Sequence, residues 1–288
     1  MEIVPQLIAN SIIAGSIYTI LALGFNLVFS MTKFVDIGFG TLTVIGGYTV
    51  FLFSKILGVP LPLGILLGLV ISGLVNFLVY LFVYKPLRAR KASGAVLLIA
   101  SLGVITAIQA FIAMFFSSQF QSLSGLLAGN RVFDIFGGVM TAVQLSTLAL
   151  AILLFFALGL TLKYTLFGKA ITAISDDEEV SKIVGLNTEK IIGSVFFLAG
   201  AIGGLGGMLI GFDTGIEPIM GLPWLLSGVT AAIIGGIGNV YGSAAGGLLL
   251  ALAENFGIWH IAGEWKSAIT FGLLIVFLLW RPKGLFPR

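Results

Sequence analysis

The side chains best able to do chemistry in this sequence are the carboxylates of the run Ser175–Glu179, whose letters are SDDEE. Adjacent carboxylates can hold Mg²⁺ for phosphoryl or prenyl transfer. Four neighbouring carboxylates cannot all face one ion from a helix, however, and no second acidic cluster is present to complete a site. We therefore expect no metal site in this chain.

Other reactive motifs are missing from the sequence. It contains no H-E-x-x-H, no G-x-S-x-G and no cysteine. The stretch Phe167–Ala170 contains Gly-Lys, but Ala170 stands where a phosphate-binding loop needs Ser or Thr, and Lys163 stands at its first Gly. The only histidine, His260, lies beside Trp259 at the end of an apolar run, which is typical of a membrane interface. We predict no catalytic residue and no bound cofactor.

The composition indicates what kind of fold must position these residues. The chain has 288 residues, of which 58% are hydrophobic and 9% charged. Apolar runs near the length of about 20 residues that a helix needs to cross a bilayer recur throughout. They predict an all-α integral membrane protein, a polytopic bundle of about eight to ten transmembrane spans, in one domain over 1–288. The expected spans are 6–29, 36–53, 60–84, 94–116, 143–162, 191–211, 222–236, 243–259 and 264–280, the seventh and eighth being short.

The distribution of Lys and Arg predicts the orientation. With the N-terminus outside, one face receives the basic residues Lys33, Lys85, Arg88, Arg90, Lys91, Lys163, Lys169, Lys182, Lys190, Arg281, Lys283 and Arg288. The other face receives only Lys55, Arg131 and Lys266. Basic loops favour the cytoplasm, so the C-terminus and the loop 163–190 are expected to be cytoplasmic, and the long loop 117–142 external.

Glycine is the most informative small residue, with 39 copies, many spaced four apart. Such spacing lets helices pack closely, and Gly-rich breaks can also line a solute path where protein or water covers the backbone. The segments IGFGTLTVIGG at 37–47 and IGNVYGSAAGG at 237–247 match weakly, as transporter repeats would. The residues predicted for a translocation path are Asp36, Gly38, Gly40, Gly235, Gly236, Gly238, Asn239 and Gly242.

The loop 163–190, called here the 163–190 segment, carries unusually many charges. Ser175 followed by Glu178 matches a capping box, which predicts a short helix beginning at Asp176. Val180, Ile183 and Val184 would then form one apolar face, and Gly185 would end the helix. So short a helix needs a surface to pack on, and its acidic start disfavours anionic lipid. A partner protein is the better candidate.

Five stretches together resemble the permease subunits of high-affinity branched-chain amino acid ABC importers. They are LIANSIIAGSIYTILALGFNLVFS, GKAITAISDDEEVSKIVGLNTEKI, FFLAGAIGGLGGMLIG, GGIGNVYGSAAGGLLLALAEN and LLWRPKGLFPR. The length and N-terminus are similar to the shorter of the two permease types. One departure is FVDIGFG, which has Asp36 but lacks the histidine usual before the second span. Relatives of this architecture also move urea or amides, so the exact solute stays open.

The resemblance implies a permease in a bacterial or archaeal plasma membrane, working with a second related permease, two cytoplasmic ATPase subunits and an extracytoplasmic solute-binding protein. ATP and Mg²⁺ would then bind the ATPases, and this chain would be no enzyme and would bind no nucleic acid. Residues implied in coupling to the ATPase are Gly168, Ala173, Ser175, Asp176, Glu178, Val180, Ile183, Val184 and Gly185. The alternative is an ion-coupled secondary transporter without an ATPase, for which membrane-buried carboxylates are scarce.

Overall fold

The computed structural model describes residues 3–127, 131–135 and 137–286, and most of them are helical. The α-helices are α1 Ile3–Thr32, α2 Gly40–Val50, α3 Leu61–Val79, α4 Lys85–Ala89, α5 Gly94–Phe116, α6 Ala142–Tyr164, α7 Leu166–Asp176, α8 Glu178–Ile183, α9 Thr188–Asp213, α10 Gly221–Gly235, α11 Val240–His260 and α12 Lys266–Trp280. Single π-helical turns extend α2 over Phe51–Ile56 and join α3 to α4 over Tyr80–Tyr84. Short 3₁₀ turns occupy Ile37–Phe39, Ser124–Leu126 and Gly263–Trp265.

Seven helical stretches in the described part of the chain are long and apolar enough to cross a membrane. They are Ile3–Thr32, Ile37–Ile56, Leu61–Ala89, Gly94–Phe116, Ala142–Tyr164, Thr188–Asp213 and Gly263–Trp280. Helices α10 and α11 pass the same test only together, and they are bent by 116° at the break between them. The predicted all-helical membrane fold with a Gly-rich broken segment is confirmed. The count of seven or eight lies at the lower edge of the prediction, because the seventh and eighth predicted spans form this one bent pair.

The chain divides into two compact units. Unit 1 comprises Met1–Asn26, Leu127–Phe156 and Leu226–Arg288, and unit 2 comprises Leu27–Leu126 and Ala157–Leu225. Several helices run from one unit into the other, α1 and α6 among them. The assignment of 1–288 to a single domain stays a prediction.

The core of unit 2 is built by α2, α3 and α9, which pack through glycine. A Cβ at Gly46 would strike the backbone of Gly204, and one at Gly207 would strike the backbone of Thr43. On the other side of α9, a Cβ at Gly200 would meet Asn76 and the Ser72 carbonyl of α3. Backbones this close leave no room for side chains, so the glycine spacing in α9 is explained by helix packing.

Unit 1 contains the N-terminal part of α1, a hairpin, and α11 and α12. The hairpin consists of β1 Val132–Ile135 and β2 Gly138–Thr141, paired antiparallel. The Gln6 amide both donates to and accepts from the backbone of Val139, which holds the hairpin to α1. The predicted loop 117–142 therefore contains regular structure, although its residues 128–130 and 136 lie outside the described residues.

Candidate functional site

Helices α7 and α8 occupy most of the 163–190 segment, where the sequence predicts a new short helix starting at Asp176. Asp176 is in fact the last residue of α7, and α8 begins at Glu178. The residue between them, Asp177, is extended and caps α8, its carboxylate accepting from the amides of Glu179 at 2.9 Å and Val180 at 3.0 Å. The prediction of a cap at Ser175 and a start at Asp176 is therefore wrong, because the chain kinks two residues after Ser175.

Ser175 is engaged elsewhere. It lies in α7, is 3% exposed, and its hydroxyl donates to the carbonyl of Ser30 at 3.0 Å. Ser30 belongs to the last turns of α1, in the same unit. The hydroxyl therefore ties the 163–190 segment to the end of a membrane-spanning helix.

Gly168 provides a second attachment of the segment. A Cβ at Gly168 would strike the backbone of Thr161 and Leu162, so α7 packs directly on the end of α6. Thr165 caps α7 by accepting from the Gly168 amide at 2.9 Å. Ala173 lies on the exposed side of α7, and its carbonyl accepts from the Asp177 amide at 3.0 Å.

The outer side of α8 is apolar, as the sequence predicts. Val180 is 53% exposed, Ile183 84% and Val184 69%, whereas Ser181 on the inner side is 2% exposed. Three exposed aliphatic side chains at positions i, i+3 and i+4 form one stripe on a helix. Docking of this stripe on a partner stays a prediction.

The predicted end of α8 is confirmed. Gly185 follows the helix with a φ of +87°, a left-handed conformation that glycine adopts without strain. Asn187 then caps α9, its side chain accepting from the amide of Lys190 at 3.1 Å.

Sequence reasoning missed the ion pairs on the inner side of the 163–190 segment. Arg88 pairs with Glu178 at 2.5 Å, and Glu178 also pairs with Lys182 at 2.8 Å. Lys85 pairs with Glu189 at 2.9 Å. The available signal was that all these residues fall in loops or helix ends on one predicted side of the membrane, although no local pattern assigns the partners.

The residues predicted for a translocation path fall into two groups, each within its own unit. In unit 2, Asp36 is 1% exposed and its Oδ1 accepts from the Tyr84 hydroxyl at 2.5 Å, while its Oδ2 has no hydrogen-bond partner among the described residues. A Cβ at Gly38 would meet the Tyr84 hydroxyl, and one at Gly40 would meet the carbonyl of Gly221. Both glycines therefore have a packing role, and their role in transport stays a prediction.

In unit 1, the second group surrounds the break between α10 and α11. Gly235 and Gly242 pack backbone against backbone, and Gly236 and Gly238 have φ values of +116° and +83°. Asn239 caps α11 by accepting from the amides of Tyr241 and Gly242. Amides of the C-terminal residues also bond to the end of α10, that of Leu285 to the Ile234 carbonyl and that of Phe286 to the Gly235 carbonyl.

No three His, Asp or Glu side chains meet in an arrangement that could hold a metal ion within 3–127, 131–135 and 137–286. The features that the described residues do offer are an exposed apolar stripe of three side chains on α8 and close-packed helices. These features fit protein association and movement of helices.

Comparison with known proteins identifies the family. The family model for the branched-chain amino acid transport system permease component matches residues 7–278. The chain is 28% identical to the high-affinity branched-chain amino acid transport system permease protein BraD of Pseudomonas aeruginosa, over 98% of this chain and 95% of that protein. It is also 28% identical to the permease protein LivH of Escherichia coli K12, over 98% and 95%.

Two further similarities concern the permease type and the fold. The permease protein LivM of Salmonella typhimurium is 26% identical, but only 68% of its length is covered. PsaBC from Streptococcus pneumoniae in complex with Fab matches with a TM-score of 0.52 and 14% identity, over 96% of this chain and 92% of that one, which supports the fold alone. Because the family model covers nearly the whole chain and the LivH-type proteins match end to end, this chain belongs to the branched-chain amino acid transport permeases, of the shorter, LivH type.

Proposed function

We propose that this chain is the membrane-spanning permease subunit of an ABC importer, and that with a second, related permease it forms the path for inward, ATP-driven transport of branched-chain or related amino acids. The observation that carries this proposal is the exposed stripe Val180, Ile183 and Val184 on a capped, anchored helix of a membrane protein. The stripe is held in place by the Ser175 hydrogen bond, the packing of Gly168 and the Arg88–Glu178 ion pair, and an exposed aliphatic stripe fixed in this way is suited to receive a partner. Family membership disfavours the alternative of an ion-coupled carrier.

The partners follow from the same proposal. One of the two ATPase subunits would bind the α8 stripe of this chain. Both ATPase subunits would carry ATP and Mg²⁺, so that this chain needs no cofactor and is not an enzyme. A solute-binding protein on the opposite side would deliver the amino acid, and the 117–142 region with its hairpin is the candidate contact.

The basic C-terminal region supports the proposed orientation in the bacterial or archaeal inner membrane. Arg281, Lys283 and Arg288 lie together near the end of the sequence. Because Lys and Arg in short loops and tails favour the cytoplasmic face, the proposal has the C-terminal region in the cytoplasm.

The test is uptake of labelled leucine by proteoliposomes that contain the complete transporter. We expect accumulation only when ATP is enclosed together with the ATPase subunits and when binding protein is present outside. The control is the same vesicle with a sodium or proton gradient and no ATP. Uptake that follows the ion gradient and is indifferent to ATP would refute the importer function.

A further inference from the structure

The inner side of α8 is held by the most shielded ion pair in the 163–190 segment. The side chains of Arg88 and Glu178 are 20% and 25% exposed, whereas those of Lys85 and Glu189 are 39% and 62% exposed. Glu178 also accepts from Lys182 with its second carboxylate oxygen. Solvent and salt screen the Arg88 pair less than the Lys85 pair, so it holds its geometry better.

Helix α8 therefore has one face exposed for a partner and one face in contact with the rest of unit 2. The stripe Val180, Ile183 and Val184 points outward, while Glu178 and Ser181, three residues apart, point inward. With only six residues, α8 is not stable as an isolated helix. Its position is therefore set by the residues that it contacts. A displacement applied to the outer stripe is thus passed inward through Glu178.

The element that receives this displacement is a long rod. Arg88 lies in the last turn of the helical stretch Leu61–Ala89, which comprises α3, the π-helical turn and α4. The rod is fixed to α9, because Tyr80 stacks on Phe196 at 4.8 Å between ring centroids and the Asn76 amide donates to the Phe196 carbonyl at 2.7 Å. A force on Arg88 therefore acts on two packed membrane helices together.

We propose that Arg88 is a positioning residue for transport: its ion pair with Glu178 links the partner-binding helix α8 to the α3–α4 rod, so that movement of the ATPase reaches the membrane helices. This inference rests on the proposed function. Arginine suits the task because its planar guanidinium holds a carboxylate in a fixed geometry, which a flexible ammonium does not.

The experiment compares R88E, E178R and the double variant R88E/E178R in the complete transporter with leucine as the solute. The matched control is R90E, since Arg90 is exposed, lies two residues away and has no ion pair among the described residues. Two quantities are measured, leucine uptake and ATP hydrolysed per leucine. A purely structural role would lower the amount of assembled complex but leave the ATP-to-leucine ratio unchanged.

We expect each single variant to raise the ATP-to-leucine ratio about 10-fold, and the double variant to return it to within about 3-fold of wild type, as coupled residues do in a mutant cycle. R90E should match wild type. If R88E does not assemble, R88Q replaces it, because it removes the charge without opposing Glu178.

A wild-type ratio in R88E or R88Q, or no recovery in an assembled double variant, would overturn the role of Arg88. That result differs from failure of the proposed function, in which the wild-type transporter itself would take up leucine without ATP.

Discussion

The glycine-packed helices of unit 2 and the 163–190 segment use small and apolar residues in opposite ways. In the core, Gly46 and Gly207 face backbone so closely that a single methyl group has no space. On α8, Ile183 and Val184 have large side chains that contact little of this chain. The core buries its helices against one another, whereas the segment leaves an apolar surface exposed.

The difference indicates what each region contributes. Close backbone packing gives many small dispersion contacts that are lost together when helices are pushed apart, so the core determines whether the protein folds. The exposed stripe adds little to folding, since aliphatic side chains in water stabilise nothing until a partner covers them. Substitutions in the two regions should therefore separate loss of fold from loss of coupling.

The largest effect is expected from Gly207→Ala in α9. The added methyl group would meet the backbone of Thr43, which cannot rotate away as a side chain can. Overpacking costs about 1–3 kcal/mol, and contact with backbone puts this variant at about 3 kcal/mol or more. The measurement is the melting temperature and the yield of monodisperse protein in detergent.

Gly103→Ala in α5 is the matched control for this prediction. A Cβ at Gly103 meets nothing within 4 Å, so only helix propensity changes, which favours alanine by up to about 1 kcal/mol. The two variants should shift the melting temperature in opposite directions. Equal shifts would show that the glycines of α9 are not a packing requirement.

An intermediate effect is expected from Val184→Asp, which places a charge on the exposed stripe. ATP-driven leucine uptake should fall at least about 10-fold, because an unpaired charge in an interface costs more than 1.4 kcal/mol. Carboxylates near a helix C-terminus cost only about 0.3–1 kcal/mol, so the melting temperature should change little.

Leu166→Asp is the control for this charge, since Leu166 is 85% exposed at the start of α7 and lies outside the stripe. It should leave leucine uptake within about 2-fold of wild type. Normal uptake by Val184→Asp would mean that the stripe is not the docking surface.

Local signals carried the sequence predictions that the structure confirms. The span 94–116 coincides with α5, because an apolar run bounded by polar residues marks both ends. Gly185 acts through its own backbone conformation, so its role as the end of α8 was also visible in the sequence.

Distant contacts explain what the sequence left open. Ser175 fits a capping box locally, but its hydroxyl bonds to Ser30, 145 residues away, and Asp177 takes the cap instead. Arg88 and Glu178 are 90 residues apart, so their pairing follows from helix packing alone. The spacing of Gly203, Gly207 and Gly211 indicates close packing, but only the structure shows that Gly207 faces the backbone of Thr43 and that Gly103 faces open space.

The smallest effect is expected from Gly185→Ala, which tests whether the 163–190 segment tolerates local change. Gly185 has a φ of +87°, and nothing lies within 4 Å of a Cβ built there, so strain in the backbone is the whole cost. That strain is about 1–2 kcal/mol for a residue with a Cβ, and less for asparagine, which adopts this conformation more readily. Gly185→Asn should therefore be the more stable of the two variants in thermal unfolding, and both should retain leucine uptake within about 2-fold, since neither touches the stripe or the Arg88 pair. A large loss of uptake in both variants would mean that α8 depends on the mobility of glycine as well as on its φ. The freedom of α8 to move would then distinguish the 163–190 segment from the core, in addition to its exposed stripe.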